Sequence, residues 1–224
     1  MNRRAVPALA LIGLAFACRT SRPAAEETPV PAIVDTTESG VRSELATRLS
    51  TFPGERSLLR IRAIAGDRTQ SFRAQLQIDR QHRMLLTAYT PLGTTALRIY
   101  SEGDSVTFLN DLQSTWWTGS AAEMARTFPF FASVGPSTMG LILLGLAPAD
   151  SSTRYEVGVS GLRSARVGEA TVSFEPAVYP PHHVSVNTAV GRLEVEHLES
   201  LLSPGSIEMP VVPKTYRCCV PPAL

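Results

Sequence analysis

The chain has 224 residues, 44% of them hydrophobic and 18% charged, with a formal net charge of +1 at pH 7. That balance belongs to a globular protein with enough apolar material for one sizeable core. The near-neutral charge leaves no basic excess to attract nucleic acid and no acidic tail.

The chain begins MNRRAVPALALIGLAFAC, with Arg3 and Arg4 ahead of an apolar run from Ala5 to Ala17. A short positive segment followed by a short apolar one is the anatomy of a secretory signal. The run is shorter than the ~20 apolar residues that a membrane span needs. It stops at Cys18, which points to a bacterial lipoprotein signal, where the cysteine is acylated and the peptide is cut just before it. Ala15 stands where the usual motif has leucine, and Phe16 is bulky for its place. A plain secretory signal with an incidental cysteine is the other reading. The following RTSRPAAEETPVPA is dominated by Pro, Ala, Glu and Thr without periodicity, the composition of a flexible tether. Arg19 rather than aspartate follows the cysteine, which favours the outer membrane under the enterobacterial sorting rule. The expected organisation is a signal over 1–17, an acylated cysteine and tether over 18–36, one folded domain over 37–215 and an irregular tail over 216–224.

Val41, Leu45 and Leu49 recur at four-residue spacing and predict an amphipathic helix near 37–50, stopped by Phe52-Pro53-Gly54. Strands then dominate. SLLRIRAI and SFRAQLQID flank a Gly66-Asp67 turn, and in the second Phe72, Ala74, Leu76 and Ile78 alternate with polar residues. Strict period two gives one apolar and one wet face. HRMLLTAY, TALRIYS and SVTFLNDL follow, separated by Pro91-Leu92-Gly93 and Glu102-Gly103-Asp104, the pattern of an antiparallel meander. Ser120 with Glu123 is a capping-box signature for a short helix AAEMARTF. Pro136-Ser137 opens a second, TMGLILLGLA, apolar all round and therefore expected to be buried or to lie across an apolar cavity. RYEVGVSG, ATVSFEP, HHVSVNTA and GRLEVEHLES are further strands, and after Leu202 the chain is Pro-rich and irregular. The fold class this implies is α+β, mostly β: one long curved antiparallel sheet, an unclosed barrel, with short helices as plug or lid.

Little in the chain looks catalytic. There is no G-x-S-x-G elbow, no H-E-x-x-H and no phosphate loop, and GVSGL has only a superficial likeness to an elbow. His182 and His183 are adjacent and so point to opposite faces of a strand, while His82 and His197 are isolated. Cys218 and Cys219 are neighbours without zinc-knuckle spacing, free to pair with each other, to pair between chains, or to stay reduced. No metal, no cofactor and no enzyme activity are expected. Trp116-Trp117 should put one ring into the core and the other at a rim.

The stretch HRMLLTAYTPLGTTALRIYSEGDSVTFLNDLQSTWWTGSAAEM resembles the LolB family of outer-membrane lipoproteins, which receive other lipoproteins from the periplasmic carrier LolA. The likeness lies in the order of a Leu-rich strand, a Pro-Leu-Gly loop, a Leu/Ile strand, a Gly-containing turn, an aromatic before a helix and an acidic residue within it. TMGLILLGLAPA is similar to a later helix of the family, with Ala147 intervening before Pro148. The similarity covers about residues 58 to 150, and the PVVPKTYRCCVPPAL ending departs from it.

The resemblance implies a lipid-anchored monomer on the periplasmic face of the outer membrane, bound to lipid through Cys18. Its partners would be acylated lipoproteins and a LolA-like carrier. It implies that Pro91, Leu92 and Gly93 form a membrane-insertion loop with Leu92 protruding. Phe72, Leu76, Met84, Leu86, Leu97, Ile99 and Phe108, alternation partners on apolar faces, are the expected wall of an acyl-binding cavity; ordinary core is their other reading. A different lipid or hydrophobic envelope ligand, or a purely structural role, remains open on the same fold.

Overall fold

The computed structural model describes residues 37–132, 134–158, 161–175, 181–202 and 205–218. Cys18, the signal, the tether and Cys219 lie outside the described residues.

Helix α1 (Glu38–Thr51) begins where the Thr37 hydroxyl accepts the Gly40 N–H at 3.1 Å, and Val41 and Leu45 form its buried stripe. Strands β1 (Glu55–Ala65), β2 (Arg68–Ile78), β3 (Met84–Tyr89), β4 (Thr95–Glu102), β5 (Ser105–Asn110) and β6 (Thr115–Ser120) then form a first meander. Helix α2 (Ala121–Thr127), a 3-10 turn (Pro129–Phe131) and helix α3 (Pro136–Leu143) interrupt it. A second meander holds β7 (Arg154–Gly158), β8 (Gly161–Val167), β9 (Ala170–Glu175), β10 (His183–Thr188) and β11 (Gly191–Leu202). A two-residue strand, β12 (Arg217–Cys218), comes last.

All twelve lie in one sheet, in the order β12-β6-β5-β4-β3-β2-β1-β11-β10-β9-β8-β7. The sheet is curved and does not close, for β12 and β7 are its two edges. β1 joins the meanders, pairing along its whole length with β2 and from Glu55 to Ile64 with β11. The mostly-β, unclosed architecture is the one the alternation and turn spacing imply. Three details differ. β8 has no counterpart in the sequence pattern, because LRSARV offers few large apolar residues. β12 runs parallel to β6, so the pairing is not wholly antiparallel. The strand expected through Leu112 stops at Asn110, where Asn and Asp favour a turn.

Cross-strand registers sort the side chains. Leu76, Leu86, Ile99, Phe108 and Trp117 stand directly opposite one another on five neighbouring strands. Ile78, Met84, Ser101, Val106 and Gly119 form the next row on the same face. The helices pack on this inner face. α1 covers the far end of the sheet, where the Arg42 guanidinium lies 5.7 Å over the Tyr155 ring and its Nε donates to the Asp150 carbonyl at 3.1 Å.

The outer face of the first meander is crossed by the C-terminal segment 205–218. The segment expected to be irregular is a strap. Its Ile207 N–H donates to Asp79 Oδ2 at 3.1 Å, and its Ser206 hydroxyl accepts from Arg83 at 2.7 Å. At the other end of the sheet the Tyr216 hydroxyl donates to Asp111 Oδ1 at 2.6 Å and the Arg217 N–H to the Ser114 carbonyl at 2.9 Å. Thr107, Leu109 and Tyr100 face this side and are buried. The expected boundary at 215 therefore falls inside a segment that still pairs at Arg217 and Cys218.

Asp79 is the strap's anchor. Its carboxylate also takes the N–H groups of Gln81 and Arg83, both at 3.0 Å, and the Arg83 guanidinium at 2.6 Å. Burial pushes this carboxyl up. The Arg83 guanidinium and the backbone donors outweigh burial and hold it below the ordinary value of 3.8. Because the folded-state value is depressed, the stabilisation is complete above 3.8 and fades as pH falls beneath it. Asp79→Asn turns one acceptor into a donor facing donors and is expected to cost about 2 kcal/mol at pH 7. Urea denaturation of both proteins from pH 7 to pH 2.5 checks this: the gap between them should narrow steadily in acid.

Candidate functional site

The β3–β4 turn is built to hold one side chain away from the protein. Gly93 N–H donates to the Thr90 carbonyl at 2.9 Å, closing a turn with Pro91 and Leu92 at its two central positions. Proline presets the first of these. Gly93 then sits at φ 81°, in the left-handed region, as a three-residue hairpin loop requires. Below the loop, Thr90 N–H donates to the Thr94 carbonyl at 2.8 Å and the two threonine hydroxyls meet at 2.8 Å. Leu92 at the tip is 92% exposed. Such a side chain contributes nothing to the folded core.

The seven residues expected to line a cavity come together on the inner face. Leu76, Met84, Ile99 and Phe108 are buried, and Phe72, Leu86 and Leu97 are half-buried against the same cluster. Two helical segments cover them. The Phe108 ring lies 5.6 Å from that of Phe128, the residue that ends α2. Gly140 of α3 comes so close to the sheet that an added Cβ would stand 2.6 Å from Met84 Sδ and 3.1 Å from Ile78 Cδ1. The row is therefore a packed layer under a helical lid.

α3 is held at its C-terminal end. The Leu146 N–H donates to the Leu141 carbonyl at 2.9 Å and the Gly145 N–H to that of Ile142 at 2.8 Å, a Schellman closure. His197 on β11 adds a tertiary pin. Its Nε2 lies 2.7 Å from the Leu143 carbonyl. A carbonyl only accepts, so Nε2 carries the proton. Nδ1 is buried without a partner. Burial pushes the imidazole below its ordinary value, which keeps it neutral. His197 shares the inward phase of Leu193 and Val195, opposing Leu59 as they oppose Ala63 and Ile61, and a bulge at Leu198 then brings Ser200 inward as well, opposite Ser57. Alternation with Val195 puts His197 on the inner face, but its partner, the Leu143 carbonyl, is 54 residues away and leaves no sign in the local sequence.

Other candidates separate. Trp117 is buried in the row and Trp116 is half-buried on the opposite face. His182 is exposed and His183 half-buried. Among the described residues no three metal-ligating side chains come together. Glu194 and Glu196 face Arg62 and Arg60 across β11 and β1 in partly solvated ion pairs, which add little stability. A notch of about 50 Å³ lies between Glu55, Arg56, Gln77, Ile78 and strap residues Gly205, Ser206 and Ile207. It is far below the ~300–1,000 Å³ typical of small-molecule pockets, and none of the seven wall residues lines it.

No protein-family model matches the chain, and no curated protein matches it in sequence. Solved structures do resemble it. A DUF1329 family protein from Desulfovibrio piger superposes with a TM-score of 0.50 at 9% identity, covering 76% of this chain and 93% of its own. A putative outer membrane lipoprotein-sorting protein domain from Vibrio parahaemolyticus gives 0.49 at 9% identity, covering 76% of this chain and 94% of its own. A LolA superfamily protein from Nitrosomonas europaea gives 0.45 at 12% identity, covering 75% and 93%. The Desulfovibrio protein shares the fold; the other two superpose too loosely to carry an argument of their own.

Two substitutions separate the lid from the loop. Gly140→Leu drives a side chain into Met84 and Ile78, and overpacking of this kind costs about 1–3 kcal/mol. Leu92→Glu touches no packed atom and should stay within about 0.5 kcal/mol of wild type. Thermal denaturation of the two variants measures both.

Proposed function

We propose that the chain is an envelope protein that binds acyl chains. More finely, it is a lipid-anchored receptor on the periplasmic face of the outer membrane. It takes acylated lipoproteins from a LolA-like carrier and delivers them to the bilayer. The observation that carries this reading is Leu92, held in water at the tip of a braced three-residue loop. The order of motifs around it supports the same reading, as does the signal-like segment ending at Cys18.

The mechanism needs no covalent chemistry. An acyl chain leaves the carrier if this protein buries it better. The inner row Leu76, Leu86, Ile99, Phe108 and Trp117 offers a continuous apolar strip for it, provided α3 lifts from Met84 and Ile78. Leu92 then opens the contact with lipid. Burying one leucine is worth ~1.5–3 kcal/mol, enough for a transient contact and too little for an anchor. Anchoring falls to Cys18, whose acyl chains would keep the domain close to the bilayer at high effective concentration.

The test is an acceptor assay. Carrier loaded with labelled acylated lipoprotein is mixed with this protein or with Leu92→Glu, with and without liposomes. The reading expects both proteins to take cargo and the variant to fail at delivery to liposomes. If neither takes cargo, the receptor role is wrong. If both deliver equally, Leu92 is not the insertion residue.

A further inference from the structure

Leu92 is not alone at its end of the sheet. β3 ends at Tyr89, β4 starts at Thr95, β5 ends at Asn110 and β6 starts at Thr115, so the β3–β4 and β5–β6 turns leave the sheet on the same side. The second turn carries Leu112, which is 67% exposed. Two strand spacings separate the hairpins, a lateral distance of ~10 Å.

The Leu112 turn is pinned by parts of the chain far apart in sequence. The Asp111 and Leu112 N–H groups both donate to the Ala96 carbonyl, at 2.9 and 3.4 Å. The Asp111 carboxylate takes Arg98 at 2.6 and 3.1 Å and the strap's Tyr216 hydroxyl at 2.6 Å. The Gln113 N–H donates to Asn110 Oδ1 at 3.0 Å, and the Asn110 amide donates to Gln113 Oε1 at 3.2 Å, closing the turn. Single exposed leucines are ordinary on protein surfaces. Two on neighbouring rigid turns, both aimed out of one sheet end, are a paired feature.

The charges beside them choose the partner. Lys214 and Arg217 flank Tyr216 on the strap, and Arg68 opens β2 at the same end. All three are exposed and make no ion pair among the described residues. Asp67 is the exposed acid on this part of the rim, and Asp111 is already neutralised by Arg98. Apolar tips ringed by unpaired cations match a bilayer surface with anionic headgroups.

We propose that Leu112 is a second membrane-contact residue, seated with Leu92 in the same leaflet, with Lys214 and Arg217 against anionic headgroups. This rests on the reading that Leu92 meets the membrane, and it adds a fixed orientation. One apolar point lets the domain swivel, whereas two points and a charged flank set its tilt.

The experiment uses the full-length chain carrying an environment-sensitive fluorescent amino acid at position 92, 112 or 202. Leu202 is the control, an exposed leucine at the opposite end of the sheet, where it pairs with Glu55. Each protein is mixed with phosphatidylcholine vesicles, with or without phosphatidylglycerol, and with vesicles containing brominated lipid. Blue shift and bromine quenching at 92 and 112 but not at 202 are the expected results, with a stronger response on phosphatidylglycerol. The combined variant Lys214→Gln with Arg217→Gln should lose that extra response; if it keeps it, the headgroup contact is wrong. A response at 92 with none at 112 overturns the second contact and leaves the receptor reading standing. Silence at both positions overturns this proposal and the membrane role of Leu92 together.

Discussion

A twelve-stranded sheet with one apolar face must have that face covered, and only three short helices are present among the described residues to cover it. Most of the structure follows from that constraint. The apolar rows of the first meander need a partner, and α3, largely apolar, lies against Met84 and Ile78 of the second row through Gly140. Glycine at that contact lets the helix backbone approach the sheet, and Met84 supplies an adaptable side chain beneath it. The lid is pinned at its C-terminal end by His197 and packed along its length, for Met139, Leu141, Ile142 and Leu143 are all buried in the core cluster.

The outer face obeys the same rule by other means. Leu109 and Tyr100 face away from the helices and lie on the side that the C-terminal strap crosses. The strap is tied at both ends by carboxylates: Asp79 at one end of the sheet and Asp111 at the other. Asp111 links the strap to the turn that carries Leu112, so burial of the outer face and presentation of the exposed rim share one set of hydrogen bonds.

Much of this was legible in the residues. Phe72, Ala74, Leu76 and Ile78 gave a strand and its apolar face by strict alternation, and Ser120 with Glu123 marked the start of α2, where both reciprocal capping bonds form. Leu92 stood out because proline and glycine on either side of it define a turn. What the residues do not show is set by partners distant in sequence. Asp79 looked like the last polar residue of an alternating strand, and its role depends on Ile207. His197 shares the inward phase of Val195, but the Leu143 carbonyl that it holds is distant in sequence. The apolar run before Leu112 continues the strand pattern to it, although Asn110 and Asp111 carry the turn chemistry. β12 is two residues long, too short for any periodicity.

The central claim is that the inner row receives an acyl chain when the lid lifts. The most direct measurement is photo-cross-linking of the full chain with a fatty acyl probe carrying a diazirine near its end, followed by peptide mapping. The account predicts adducts within Phe72–Leu76, Met84–Leu86, Leu97–Ile99 and Phe108, and fewer adducts when Gly140→Leu blocks the layer. Adducts confined to the exposed rim, or none on the inner face, would contradict it.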